Sequence, residues 1–153
     1  MTSLSDSYVE NTEVVNVNDS NVYNNAHGGK VVKWMDEAGV ISAIRFAGEP
    51  CVTASMENVA FINPIHVGEA ANIESYVFRT GTTSMKVRLR VWGEDLKERD
   101  RRLSNESFFT YVAIDQSGNP TEIPDLDIEG QEEERMRKEA EESYADAVGE
   151  KQK

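Results

Sequence analysis

A chain of 153 residues with 39% hydrophobic side chains is long enough to bury one core without disulfides or metal, and its spread of aromatic residues excludes a disordered polymer. Its 28 acidic and 16 basic residues leave a formal net charge of −12, a field that repels phosphodiester backbones and argues against nucleic acid as a partner. No apolar run approaches the ~20 residues needed to cross a bilayer, so no membrane insertion is expected.

The first thirty residues are rich in Asn, Ser, Asp and Glu and contain neither a basic start nor an apolar signal core. Cys51, the single cysteine, cannot form an internal disulfide, and a reducing cytoplasm is the expected compartment. Two histidines and one cysteine are too few for most zinc patterns; neither a metal site nor a cofactor is expected. An acidic surface with only seven lysines also suits a high-salt cytosol, where the Debye length shrinks to ~3 Å at 1 M.

In chain order, residues 1–12 read as a polar, loosely ordered leader. A short strand is expected at Glu13 to Val17, followed by a loop dense in Asn and Asp through Asn25. A helix should run from Gly28 to about Arg45, stopped by Ala47-Gly48-Glu49-Pro50. Strand-like stretches follow at Cys51 to Phe61, Ala71 to Arg79, Met85 to Trp92 and Leu103 to Ile114. The third alternates best, with Val87, Leu89 and Val91 on one side and Lys86, Arg88, Arg90 and Trp92 on the other. Asp115 to Pro120 reads as a turn. Glu129 to Tyr144 is charged nearly all round, which predicts a solvated terminal helix outside the core. The domain plan is leader 1–12, folded domain 13–124 and acidic helical tail 125–153.

One long helix among antiparallel strands is an α+β arrangement. That helix carries Gly28, Gly29, Ala38, Gly39, Ser42 and Ala43, although an interior Gly costs ~1 kcal/mol relative to Ala. Small residues let a neighbour approach the axis closely, which predicts a hotdog: a helix cupped by a curved antiparallel sheet of about five strands.

The stretch Asp19 to Gly39, with Asn21-Val22-Tyr23-Asn24 leading through His27-Gly28-Gly29 to Met35-Asp36-Glu37-Ala38, resembles the signature of acyl-CoA thioesterases of the brain acyl-CoA hydrolase type. Further similar segments follow in order: Val52 to Ser55, Phe61 to Gly68, Gly81 to Met85 and Glu106 to Ala113. The resemblance spans roughly residues 13 to 145. It implies hydrolysis of fatty acyl-CoA to free acid and coenzyme A, with catalytic residues at Asn21 and Asp36. One departure is Asn24, where the family usually has Gly; Asn tolerates the left-handed backbone next best, so the loop should survive. The family also implies self-association as a dimer, often as a trimer of dimers.

Thioester hydrolysis needs an attacking water or carboxylate and donors for the oxyanion. Gly28 and Gly29 would offer backbone N–H groups at the positive end of the helix dipole. Asp36 lies ~12 Å further along the axis at 1.5 Å per residue, as general base or nucleophile, and Asn21 could orient water or carbonyl. Read without the resemblance, Asp36 is equally a solvated helix carboxylate. Arg79, Thr82, Thr83, Ser84 and Arg88 are the residues the resemblance places near coenzyme A, the two arginines meeting its phosphates. His27 could assist the oxyanion site or serve the loop.

Two alternatives compete. Asn63-Pro64-Ile65-His66 looks like the core of hotdog enoyl-CoA hydratases, but Phe61 occupies the position of their acidic partner. A non-catalytic acyl-CoA sensor would carry an added regulatory segment, and none is read here.

Overall fold

The computed structural model describes residues 2–151, side chains to Gly149. Five antiparallel strands form one sheet in the order β2-β4-β5-β6-β3: β2 is Val9–Val14, β3 Cys51–Glu57, β4 Ala70–Thr80, β5 Ser84–Asp95 and β6 Asp100–Ala113. The helix α1, Gly28–Ala47, lies on its inner face. A two-residue β1, Thr2–Ser3, pairs in parallel with β7, Leu126–Asp127, and α2 runs from Gly130 to Lys151. No described helix is long and apolar enough to cross a membrane.

The α1 side chains that face the sheet are small where strands come close. Ser42 Oγ lies 2.6 Å from Ser75 Oγ on β4, and Ser75 in turn donates to the Ala38 carbonyl at 3.0 Å. Around them Val31, Trp34, Met35 and Phe46 of α1 pack on Ile73, Val87, Leu89, Val91 and Phe109. Each such side chain contributes roughly 1.5–3 kcal/mol on burial. The helix ends as expected: Gly48, at φ +70°, takes the left-handed position and donates to the Ile44 carbonyl at 2.8 Å.

Five expectations change. The leader is ordered: β1 and a 3-10 turn at Ser5–Ser7 precede β2, and Leu4 is fully buried, its N–H donating to the Glu133 carboxylate at 3.2 Å. The first long strand is Val9–Val14, not Glu13 to Val17, because Val17–Asp19 closes a 3-10 turn capped reciprocally by Asn16 and Asp19. Strand β3 stops at Glu57, since Asn58 takes φ +62°. Arg101 and Arg102, outside the strand stretches read from the sequence, belong to β6; the β5–β6 hairpin is longer and its turn, residues 96–99, ends on Arg99 at φ +57°.

The largest change concerns α2, which is not a solvated tail. Its stripe Glu133, Met136, Ala140, Tyr144 and Ala147 lies on the outer face of the sheet, over Leu4, Tyr76, Phe78 and Phe108. Phe108 and Tyr144 meet edge-to-face at 5.2 Å, a geometry that aromatic quadrupoles favour. The central strands β4, β5 and β6 are thus covered on both faces.

Candidate active site

The loop that precedes α1 is a closed unit. The Asn21 carbonyl accepts from the Asn24 N–H at 3.1 Å, and Asn24 adopts φ +61°, the left-handed conformation expected of it. Asn21 Oδ1 accepts from the N–H groups of Tyr23 at 2.9 Å and Asn25 at 3.3 Å, an Asx turn. Its Nδ2 has no hydrogen-bond partner among the described residues. The far side is held by His66, whose ring Nδ1 lies 2.6 Å from Asn25 Oδ1 and whose N–H donates to Glu69 at 2.7 Å. His66 is therefore a loop-fastening residue.

At the helix start the two glycines differ. The Gly29 N–H donates to His27 Nδ1 at 3.1 Å, so His27 is the N-cap and the Gly29 N–H is engaged. The Gly28 N–H has no partner among the described residues and stands at the positive end of the dipole. It borders a cleft of about 320 Å³ lined by Asn21, Gly28, Val31, Phe61, Asn63 and Ser104, among others. A Cβ at residue 28 would touch the Phe61 ring at 3.4 Å. Asn21 and Gly28 thus share one cleft.

Asp36 lies elsewhere. Its Oδ1 accepts from Thr53 Oγ1 at 2.8 Å and from the Tyr111 hydroxyl at 2.9 Å, at the β3–β6 edge and outside the lining of that cleft. Thr53 and Tyr111 are direct cross-strand partners, and the register slips just beyond them, between Thr53 and Ser55. Bulges recur beside active sites because they re-aim a side chain. Asp36 is thus neither free nor ion-paired: two neutral hydroxyls hold one oxygen, and Oδ2 has no partner among the described residues. Sequence reasoning assigned no role to Thr53 or Tyr111, because strand register carries no local signal.

The candidate coenzyme A residues are mostly engaged. Arg88 is 5% exposed, on the outer face, donating from Nε to Glu106 at 2.8 Å and from Nη1 to the Tyr76 hydroxyl at 3.0 Å. These bonds hold the Arg88 guanidinium against Glu106 and Tyr76. Arg79 makes a bidentate pair with Glu141 of α2 and lies 4.9 Å from the Tyr144 ring centre. Thr82 lines a separate depression with Glu122 and Asp125; its carbonyl and that of Thr83 accept from Ile123 and Ala113, and that of Ser84 from Gly81. No group of three potential metal ligands exists among the described residues.

One long helix packed on a five-stranded antiparallel sheet is the hotdog arrangement. Residues 23–99 match the thioesterase superfamily. Over 115 residues the chain is 40% identical to the uncharacterized acyl-CoA thioester hydrolase YkhA of Bacillus subtilis, covering 75% of this chain and 67% of that one. It spans 60% of Helicobacter pylori VdlD, at 32% identity over 105 residues. Among solved structures, the acyl-CoA hydrolase of Bacillus cereus superposes with a TM-score of 0.85 at 34% identity, covering 97% and 91% of the two chains. An apo-hexameric acyl-CoA thioesterase gives 0.86 at 34%, covering 98% and 97%. The Staphylococcus aureus hydrolase, solved with butyryl coenzyme A, coenzyme A and coenzyme A disulfide, gives 0.84 at 30%, covering 99% and 95%. That hydrolase has also been solved with an asparagine, an aspartate and a threonine each replaced by alanine.

The chain belongs to the thioesterase superfamily and is a thioester hydrolase.

Proposed function

We propose that this protein hydrolyses fatty acyl-CoA to free acid and coenzyme A, each site combining Asn21 and Gly28 of one subunit with Asp36 of its partner. The observation that carries the reading is the Asp36 carboxylate, with Oδ1 held by two hydroxyls and Oδ2 unengaged. In the proposed step the thioester carbonyl sits against the Gly28 N–H. Asp36 Oδ2 takes a proton from a water that Asn21 Nδ2 orients, or attacks the carbonyl carbon itself. The new C–O bond forms as the C–S bond breaks; the thiolate leaves with the proton that Asp36 took from water or, after direct attack, with one from the water that then hydrolyses the acyl–Asp36 anhydride. Oxyanion donors of this kind are worth ~10²–10³ in rate.

Three further observations support it. The replaced residues of the Staphylococcus aureus hydrolase follow one another at intervals of 15 and 17 positions, the intervals that separate Asn21, Asp36 and Thr53. Within one chain Asn21 and Asp36 lie at different places, so a complete site calls for a second copy. An open surface exists for one: β3 is an edge strand with Val52 45% and Met56 40% exposed. Open edges pair readily. We read the assembly as three such dimers, six copies as in a relative described as hexameric, working in a reducing cytoplasm.

The reading is tested by Asp36→Ala. It should fold, by circular dichroism, and lose at least ~100-fold in kcat for thiol release. A variant that keeps half its activity refutes the assignment.

A further inference from the structure

We infer that Tyr111 is the positioning residue that fixes the Asp36 carboxylate, and that Gly39 is the notch in α1 that admits it. The inference rests on the reading of Asp36 as the reacting carboxylate.

Tyr111 stands on the inner face of β6 with its side chain fully buried. Its hydroxyl donates to Asp36 Oδ1 at 2.9 Å and lies 3.3 Å from the Asp36 carbonyl oxygen. Reaching helix atoms at that range brings the phenol against the helix surface one turn beyond Asp36. A Cβ at residue 39 would lie 2.2 Å from the Tyr111 hydroxyl and 2.9 Å from Cζ. These are ring atoms on a buried side chain, not the loose end of a flexible one. Residue 39 must therefore lack a side chain, although a mid-helix Gly costs ~1 kcal/mol relative to Ala. That vacancy is what admits the Tyr111 hydroxyl to its contact with Asp36.

The phenol is suited to the task. Burial, then the neighbouring Asp36 carboxylate, push its proton loss far above the ordinary tyrosine range, so it stays a donor. Together with Thr53 it saturates Oδ1 and sets the carboxylate plane, which leaves Oδ2 as the oxygen that reacts. Fixing a reacting group is worth a great deal: a misplacement of 1 Å can cost ~10²-fold in rate.

Thiol release is measured for the wild type, Tyr111→Phe, Asp36→Ala and the double variant, with thermal unfolding to check each fold. Tyr111→Phe removes one oxygen. It should lower kcat roughly 10- to 100-fold with KM unchanged within about twofold. In the Asp36→Ala background the same change should alter nothing further. A general packing role would instead slow both backgrounds equally, and that result overturns the inference, as does a wild-type kcat in Tyr111→Phe. Should Tyr111→Phe fail to fold, Gly39→Ala carries the same test by displacing the phenol. Failure of the parent reading looks different: Asp36→Ala itself would then retain activity.

Discussion

Arg88 offers a quantitative check on how the outer face is held. Its guanidinium is buried between β4, β6 and α2, with Glu106 as its near carboxylate, Nη2 at 2.6 Å, and Glu139 of α2 further away at 3.9 Å. Removing one partner of a buried pair costs ~3–5 kcal/mol, because the remaining charge is left uncompensated. Glu106 retains 22% of its side-chain exposure and Glu139 remains nearby, so the cost falls below that range. We expect ~2–3 kcal/mol for Glu106→Ala. At ~2–4 °C per kcal/mol for a domain of this size, Tm falls by about 4–12 °C. Arg88→Met, which replaces the charge with a hydrophobe of similar length, should cost less, since Tyr76 keeps its bond to the Met136 carbonyl at 3.0 Å and Glu106 can turn to water. Differential scanning calorimetry gives the order and thiol release gives KM, which neither substitution should change more than about twofold if Arg88 does not meet coenzyme A. The reversed order of Tm, or a tenfold rise in KM for Arg88→Met, would refute the reasoning.

Co-expressing Asn21→Ala with Asp36→Ala at equal levels should make about half the dimers mixed, and roughly a quarter of all sites intact, if the site is shared across an isologous interface; no recovery in a sample shown to contain mixed dimers refutes sharing. Glu69 supplies a pH test: Arg102, and then the His66 N–H, hold its carboxyl below the ordinary value of 4.5. A depressed folded-state value contributes stability above the unfolded value and loses it as pH falls through the folded one. The Tm gap between wild type and Glu69→Gln should therefore stay constant from pH 7 to about 5 and close below about pH 4. A gap undiminished at about pH 3 counts against this pairing.

Local patterns sufficed where a residue's role depends on its neighbours in the chain. The Val87, Leu89, Val91 alternation placed β5 and its inner face, Gly48 ended α1, and Asn24 kept the left-handed turn, because period, cap and turn chemistry are properties of a few consecutive residues. The stripe of Met136, Ala140, Tyr144 and Ala147 was also written at helical spacing, but a surrounding excess of charge hid it. Tertiary structure decided the rest. Which way Arg88 faces was visible, but not that α2 covers that face and turns the arginine into a buried strut. His27 and Gly29 are two residues apart, yet only the cap geometry shows the hydrogen bond between them. Thr53, Tyr111 and Gly39 come from β3, β6 and α1, far apart in the chain. Their convergence on Asp36 depends on strand register and on how closely the helix approaches the sheet, and neither quantity is carried by the spacing of residues along the sequence.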